Sequence, residues 1–184
     1  MKKILLAVTS LALAMPAMQV MAQVNPAPTI APAPTPEEFK LPRPPRAKGI
    51  STALAIEAAQ AANASCQAST YKTTALITDS AGVPIVVISN DGAAAVTQRI
   101  AMSKIQAVLK YKMSSGDVAK KAAADPAFAA ELKANPLIDT ARQGVLAITK
   151  GSEVVGFFAV SGAPGGDKDE VCTSAGLAKI AGKY

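Results

Sequence analysis

The sequence predicts an α+β fold, a single compact domain in which helices flank a central antiparallel sheet. Four short runs rich in β-branched residues fall into two pairs, and each pair is separated by a short glycine-containing turn. This pattern is typical of two β-hairpins. Alanine-rich segments with helical spacing lie before, between and after the hairpins. Helices kept separate from hairpins in this way favour an antiparallel sheet over alternating βαβ units.

Residues 1–22 are predicted to be a signal peptide. A short basic start is followed by the apolar run ILLAVTSLALAM, and small residues precede Gln23, so cleavage is expected after Ala22. The apolar run is shorter than the roughly 20 residues of a membrane anchor, and no cysteine stands at the cleavage point for lipid attachment. We therefore expect no integral membrane anchor and a periplasmic or secreted mature protein.

Residues 23–48 are predicted to be a proline-rich flexible arm. They hold eight of the 13 prolines and almost no large apolar side chains, so they cannot bury enough surface to offset the entropy of ordering. Proline favours extended backbone in such a segment. Two interpretations stay open: a plain spacer, or an arm that docks on a neighbouring subunit through Phe39 and Leu41.

Residues 49–184 are sufficient for one domain with a single core. The full chain carries a net charge of +6, but this domain holds 13 basic and 11 acidic side chains, so most of the excess lies outside it. The chain has no tryptophan and few other aromatic residues on which nucleic-acid bases stack. We therefore expect no nucleic-acid partner.

The first predicted elements are a helix and a hairpin. Alanine-rich periodicity predicts a helix over Thr52–Ala64, with Ser51 as its cap. The runs TTALITD and VPIVVIS read as two strands joined by SAG, with Gly82 in the turn. A second helix is expected over Ala94–Tyr111, because its apolar residues recur at helical spacing among charged ones.

The C-terminal half repeats the pattern. SSGDVAKKAAAD and PAFAAELKA are predicted short helices separated by Asp125-Pro126. GVLAITKG and EVVGFFAVSG form a second hairpin around Lys150-Gly151, in which Val154–Val160 is apolar enough to be buried on both faces. The last helix is expected over Asp169–Ala181.

Several kinds of chemistry are excluded by composition. The chain has no histidine and only two cysteines, far apart in sequence, so zinc ligand sets and Ser-His-Asp or Cys-His relays are absent. GAPGGDKD lacks the glycine and lysine spacing of a phosphate-binding loop. Asp167, Asp169 and Glu170 can bind a hard cation or complement the positive end of a helix; their spacing favours the helix, and we predict no metal site.

The motifs taken together resemble the GlcG/HbpS family of haem-binding, also called haem-degrading, domains over about residues 54–180. The matching positions are Asp79 with Gly82, then Asp91-Gly92-Ala93 with Thr97, Ala101 and Lys104, then Val160-Ser161-Gly162 with Asp169 and Glu170. The resemblance implies a GlcG/HbpS-like domain over 49–184, assembled into a homo-oligomer. Alanine-rich helix faces also favour self-association.

The resemblance implies an exported haem- or tetrapyrrole-binding accessory protein for scavenging, storage or sensing, with haem as the cofactor. Two alternatives stay open: an enzyme or enzyme accessory acting on a small oxidised metabolite such as a 2-hydroxy acid, and an oligomeric structural module. Whether the protein is an enzyme is left open. The lack of histidine removes the commonest haem ligand.

The predicted ligand site joins two helix starts to the end of a strand. Its residues are Asp91, Gly92, Thr97, Ala101, Lys104, Ser161, Gly162, Asp169 and Glu170. Thr97 and Lys104 lie two helical turns apart and share a face with Ala101, so lysine can meet a carboxylate while a flat apolar body lies over alanine. The alternative is a solvated lysine above a packed alanine seam. Candidate axial ligands are Tyr111, Met113 and Thr97, followed by Tyr71, Met102 or water.

The two cysteines are predicted to form a disulfide between Cys66 and Cys172. An exported domain with one cysteine pair favours oxidation, and the bond would tie the first helix to the last. Two buried free thiols are the alternative.

Overall fold

A four-stranded antiparallel sheet with the strand order β2-β1-β4-β3 forms the centre of the protein. The structure is a computed structural model that describes residues 46–138 and 140–184. The predicted signal peptide and nearly all of the predicted arm, including Phe39 and Leu41, lie outside the described residues. The elements are α1 (Thr52–Ala68), β1 (Thr74–Asp79), β2 (Pro84–Ser89), α2 (Val96–Tyr111), α3 (Ser115–Ala124), α4 (Pro126–Ala134), β3 (Val145–Lys150), β4 (Glu153–Ser161) and α5 (Gly166–Ile180).

The predicted fold class is confirmed, with corrections at three helix ends. α1 runs to Ala68, four residues beyond the expected end. α2 begins at Val96, not Ala94, because the Asn90-to-Ala93 turn and a following Ala94-to-Thr97 turn occupy the preceding residues. α5 begins at Gly166, three residues before the expected start, because the carbonyl oxygen of Gly165 already accepts hydrogen bonds from the next turn.

The sheet is covered on both faces. Alternation along β1 and β4 sends Ala75, Ile77 and Phe158 to the face covered by α1 and α5, and Leu76 and Phe157 to the face covered by α2. β4 is buried from its third residue onward, as expected for a strand packed on both faces, whereas Val154 near the hairpin is 39% exposed. Within the described residues, no helix is both long and apolar enough to cross a bilayer.

Small residues bring α1 and α5 together on one face of the sheet. Ala58 and its alanine neighbours on α1 are fully buried. A Cβ atom at Gly176 of α5 would lie 2.6 Å from the Ala58 carbonyl oxygen, so this close approach requires glycine. Cys66 and Cys172 form a disulfide between the same two helices, with Cα atoms 5.5 Å apart. The predicted pairing is confirmed.

The last residues of the predicted arm contact the domain. Arg46 donates a hydrogen bond to the carbonyl oxygen of Pro84, and its Nε lies 3.4 Å from the buried Oδ2 of Asp79. The Lys48 carbonyl oxygen accepts from the Ser80 amide at 2.8 Å. These contacts begin three residues before the expected domain boundary at residue 49.

Candidate functional site

The predicted ligand face of α2 packs inside the fold. Ala101 is fully buried against the α2-facing side of the sheet. The Lys104 side chain is also fully buried, and its Nζ donates to Asp169 Oδ2 at 2.6 Å and to the Val160 carbonyl oxygen at 2.9 Å. Lys104 is therefore not the solvated lysine of the alternative interpretation, and its ammonium group does not face the surface.

Lys104 and Asp169 form a clasp between helices that lie on opposite faces of the sheet. A Cβ atom at Gly144 would lie 2.8 Å from Lys104 Nζ and 2.9 Å from Asp169 Cβ, and Gly144 has a φ of +123°. Only glycine therefore fits over the pair. Burial lowers the pKa of Lys104, and the negative charge of Asp169 offsets only part of that shift. Burial likewise raises the pKa of Asp169, and the positive charge of Lys104 offsets only part of that shift. The pair is thus closed to solvent and structural in character.

Thr97 belongs to a buried chain of hydroxyl groups. Its Oγ1 lies 2.7 Å from Thr74 Oγ1 and donates to the Ala94 carbonyl oxygen at 2.6 Å. Thr74 Oγ1 in turn lies 2.7 Å from Ser89 Oγ, which joins α2 to the adjoining ends of two strands. The predicted ligand-binding roles of Thr97, Ala101 and Lys104 gain no support from this placement and stay predictions.

The remaining predicted residues gather at the same end of the sheet. Asp91 and Gly92 form an exposed turn, and Gly92 adopts a φ of +77°. Ser161 is buried opposite Thr74, and Gly162 follows it with a φ of +130°.

The first turn of α5 contains Asp167 and Asp169, so the prediction that acidic side chains stand at the positive end of this helix is confirmed for these two residues. No side chain caps Gly165 by a hydrogen bond, and neither Asp169 nor Glu170 uses its carboxylate in that way. Asp169 Oδ1 accepts instead from the Ala163 amide, before the helix, and Glu170 accepts from Gln143 Nε2 at 3.0 Å. The end of β4 and the start of α5 do converge here, but the carboxylates between them already accept hydrogen bonds from within the protein.

An open groove lies on the same face as α2, over β3, which α2 leaves uncovered. Its volume is about 360 Å³. Its walls are Val108 and Leu109 from α2, Lys112–Ser115 from the connection to α3, Val145–Ala147 from β3, and Val154 and Phe157 from β4. Ala147 pairs with Phe157 across the two strands, so a small side chain leaves the aromatic ring at the floor of the groove.

The polar groups of the groove are few. Ser115 is buried, and its Oγ bonds both the amide and the carbonyl oxygen of Val145, which fixes the start of β3 against α3. Lys112 is exposed at the rim, and Met113 is half-buried beside it, where it packs against the cluster formed by Val118, Phe128 and Leu132. The groove is therefore mostly apolar, with one ammonium group at its rim.

The candidate axial ligands are spread over the fold. Tyr111 donates to Glu131 at 3.0 Å, and its ring packs on Phe128 at a centroid distance of 4.8 Å. Tyr71 lies near the disulfide, and Met102 Sδ accepts from Gln106 at 3.6 Å. Among the named candidates, Met113 is the one that lines the groove.

Sequence reasoning identified Met113 but missed the groove itself. The sequence predicts only strands for Leu146, Ala147 and Phe157. A small residue on a strand that pairs with a phenylalanine indicates a groove only if the strand lies at the edge of the sheet, and the position of β3 at the edge is known only from the structure. Among the described residues, no cluster of three or more acidic, cysteine or histidine side chains can hold a metal ion.

The fold is similar to several solved structures. A double mutant of Streptomyces reticuli HbpS shares 24% identity with a TM-score of 0.63, over 85% of this chain and 99% of that chain. Klebsiella pneumoniae protein ORFY shares 15% identity with a TM-score of 0.65, over 77% and 97% of the two chains. A PduOC complex with haem shares 17% identity with a TM-score of 0.63, over 72% and 96%. At these identities the likeness shows a common fold.

Comparison at the sequence level gives the family. No curated protein matches the chain significantly. A family model described as "Haem degrading protein HbpS-like" matches residues 50–178, which include every helix and strand except the last two residues of α5. The chain therefore belongs to the HbpS-like family.

Proposed function

We propose that this protein is an exported accessory protein that binds haem or a related tetrapyrrole in the groove over β3. The observation that carries the proposal is the composition of the groove: apolar walls with Phe157 at the floor, and the Lys112 ammonium group at the rim. Haem combines a flat apolar ring, an iron with axial positions and propionate carboxylates. The groove offers an apolar surface for the ring and a cation for one propionate.

The family and one similar structure support the ligand class. The family description refers to haem degradation, and the PduOC structure is a complex with haem. In this chain the apolar walls would bind the ring, and Lys112 would bind a carboxylate. The groove volume of about 360 Å³ lies within the usual range for small-molecule sites.

Filling the groove should weaken haemin binding. Ala147→Trp places a large side chain beside Phe157, and tryptophan is well tolerated in an exposed strand. We expect haemin affinity, measured from the Soret band on titration, to fall at least about tenfold because apolar contact with the ring is lost. The thermal midpoint should change little, since Ala147 is exposed.

Val87→Trp is the matched control. Val87 is exposed on β2, at the opposite edge of the sheet, and does not line the groove. The control should bind haemin like the unmodified protein. Equal affinity of the two variants would contradict the groove as the site. No haemin response in the unmodified protein would contradict haem binding itself, and stabilisation by a 2-hydroxy acid alone would then favour the metabolite alternative.

Export and self-association are parts of the same proposal. The Cys66–Cys172 disulfide supports an oxidising compartment. The mass of the protein from a periplasmic fraction should match a chain that begins at Gln23, and light scattering at micromolar concentration should give a homo-oligomer. A full-length cytoplasmic chain would contradict export, and a monomer would contradict self-association.

A further inference from the structure

The two edge strands of the sheet differ in how they are protected against pairing with another strand. At the start of β3, Ser115 Oγ bonds the amide and the carbonyl oxygen of Val145. β3 also ends in Lys150, and lysine on an edge strand discourages pairing. β2, at the other edge, runs from Pro84 to Ser89 without a charged side chain. β2 is therefore the edge that is more open to a further strand.

The backbone of β2 presents hydrogen-bonding groups on its outer side. The Asn90 amide donates to the Thr73 carbonyl oxygen at 2.8 Å, so these two residues form a hydrogen-bonded pair between the strands. Hydrogen-bonded pairs alternate along antiparallel strands, so Ile88 also faces β1, whereas the amide and carbonyl groups of Val87 and Ser89 point outward. An outward row of donors and acceptors is a template for another strand.

Exposed apolar side chains flank the same edge. Val83, which directly precedes β2, and Val87, on the α2-facing side of the sheet, are 51% and 44% exposed. Ile56 of α1 is also exposed, and it lies two helical turns from Asn63, which donates to the Ile88 carbonyl oxygen. Ile56 therefore stands on the side of α1 that is nearer β2. Apolar surface gathered along an open strand indicates an interaction surface.

We propose that β2 pairs with β2 of a second copy of this chain about a twofold axis at Val87, which joins two four-stranded sheets into one continuous sheet. This inference deepens the self-association part of the proposed function and rests on it. An antiparallel strand pair is self-complementary, so one contact satisfies the outward backbone groups of both copies. The two Val87 side chains then pack together, and apolar cross-strand pairs stabilise a sheet.

Charges at the two ends of β2 favour a second copy over an unrelated strand. Pairing about Val87 sets Pro84 opposite Asn90 of the partner subunit, which is followed by Asp91 of the partner subunit. Arg46 donates a hydrogen bond to the Pro84 carbonyl oxygen, and its side chain is 53% exposed. Asp91 is exposed as well. The symmetric pairing thus brings a guanidinium group near a carboxylate at each end of the shared ladder.

A charge at the twofold axis should split the assembly. Val87→Lys places two ammonium groups side by side, while the exposed position accommodates lysine in a separate chain. We expect the mass by light scattering at micromolar concentration to fall to half or less, with an unchanged far-ultraviolet circular dichroism spectrum. Thr149→Lys is the matched control, because Thr149 is exposed on β3 at the opposite edge. The control should keep the mass of the unmodified protein.

A cross-link tests the register of the two strands. Facing residues of a hydrogen-bonded antiparallel pair have Cα atoms about 5.5 Å apart, a distance that a disulfide spans. Val87→Cys should therefore link two copies when a mild oxidant is added, because Cys66 and Cys172 are already paired and the new thiol is the free one. Thr149→Cys, exposed at the opposite edge, should stay unlinked.

Removing the carboxylate near Arg46 should weaken association. Asp91→Ser should raise the dissociation constant of the pair about fivefold, the size expected for exposed ion pairs, as measured by analytical ultracentrifugation. Asp167→Ser is the matched control, because Asp167 is exposed on α5 and does not belong to the β2 edge. Equal dissociation constants for the two variants would overturn the contact between Arg46 and Asp91.

The outcomes separate this interface from self-association itself. If Val87→Lys keeps the mass of the unmodified protein, or Val87→Cys links no faster than Thr149→Cys, β2 is not the interface and self-association stands. Equal loss of mass in Val87→Lys and Thr149→Lys would also overturn the β2 edge. If the unmodified protein is a monomer, self-association fails, and this inference fails with it.

Discussion

Replacing Lys104 by methionine is expected to lower the free energy of unfolding by about 3 to 5 kcal/mol. The Asp169 carboxylate is almost fully buried and accepts the Lys104 ammonium group at 2.6 Å. Methionine fills similar volume but leaves that carboxylate without its cation, and a buried unpaired charge is strongly destabilising. Chemical denaturation with urea measures the loss.

The pH dependence and a double variant test the cause. Burial already raises the pKa of Asp169, and removing Lys104 should raise it further, because the attraction that opposes the shift is lost. A protein with a carboxyl group of raised folded pKa gains stability as pH falls through that pKa, so the deficit should shrink as pH falls through the raised pKa of Asp169 toward the ordinary pKa of an aspartate.

Lys104→Met with Asp169→Asn removes both charges and keeps an oxygen that can accept from the Ala163 amide. We expect the double variant to recover about 2 kcal/mol relative to Lys104→Met alone. Desolvation disfavours both ionised groups in the pair, so much of the single-variant loss comes from the orphaned charge. A double variant no more stable than the single one would show instead that packing under Gly144 dominates.

Removing the disulfide is expected to lower the free energy of unfolding by about 4 to 5 kcal/mol on the chain-entropy model. Cys66 and Cys172 are 106 residues apart, so the bond restrains a long loop in the unfolded chain. Cys66→Ala with Cys172→Ala leaves small apolar side chains in a seam that is already rich in alanine. Denaturant unfolding of this variant, compared with the oxidised protein, gives the value.

Reduction of the unmodified protein provides the matched control. Reduced protein and the double alanine variant should lose similar stability if the cross-link is the cause. Haemin binding should persist in the folded variant, because the disulfide joins helices on the face opposite the groove. A loss below about 1 kcal/mol would indicate that packing of α1 on α5 already restrains the chain. Loss of haemin affinity in the folded variant would contradict the placement of the site.

Local pattern determined most of the secondary structure. β-branched runs around Gly82 and Gly151 specify two hairpins, since both glycines adopt positive φ in the turns. Helix ends were less accurate because tertiary contacts and turns act there: the Asp91-Gly92 turn delays α2, and the Gly165-Gly166 pair advances α5. Motif order gave the family resemblance, which the match over residues 50–178 confirms.

The sequence by itself determined the α+β class, the two hairpins, the family and the cysteine pairing, because these depend on periodicity, turn chemistry and composition. Only the tertiary structure decided that Lys104 is enclosed with Asp169 and that Lys112 and Met113 stand at a groove. The periodicity of α2 places Lys104 on a face, but it does not reveal which element covers that face. Asp169 of α5 accepts the Lys104 ammonium group at 2.6 Å, and the groove stays open over β3; both facts come from contacts between residues distant in sequence.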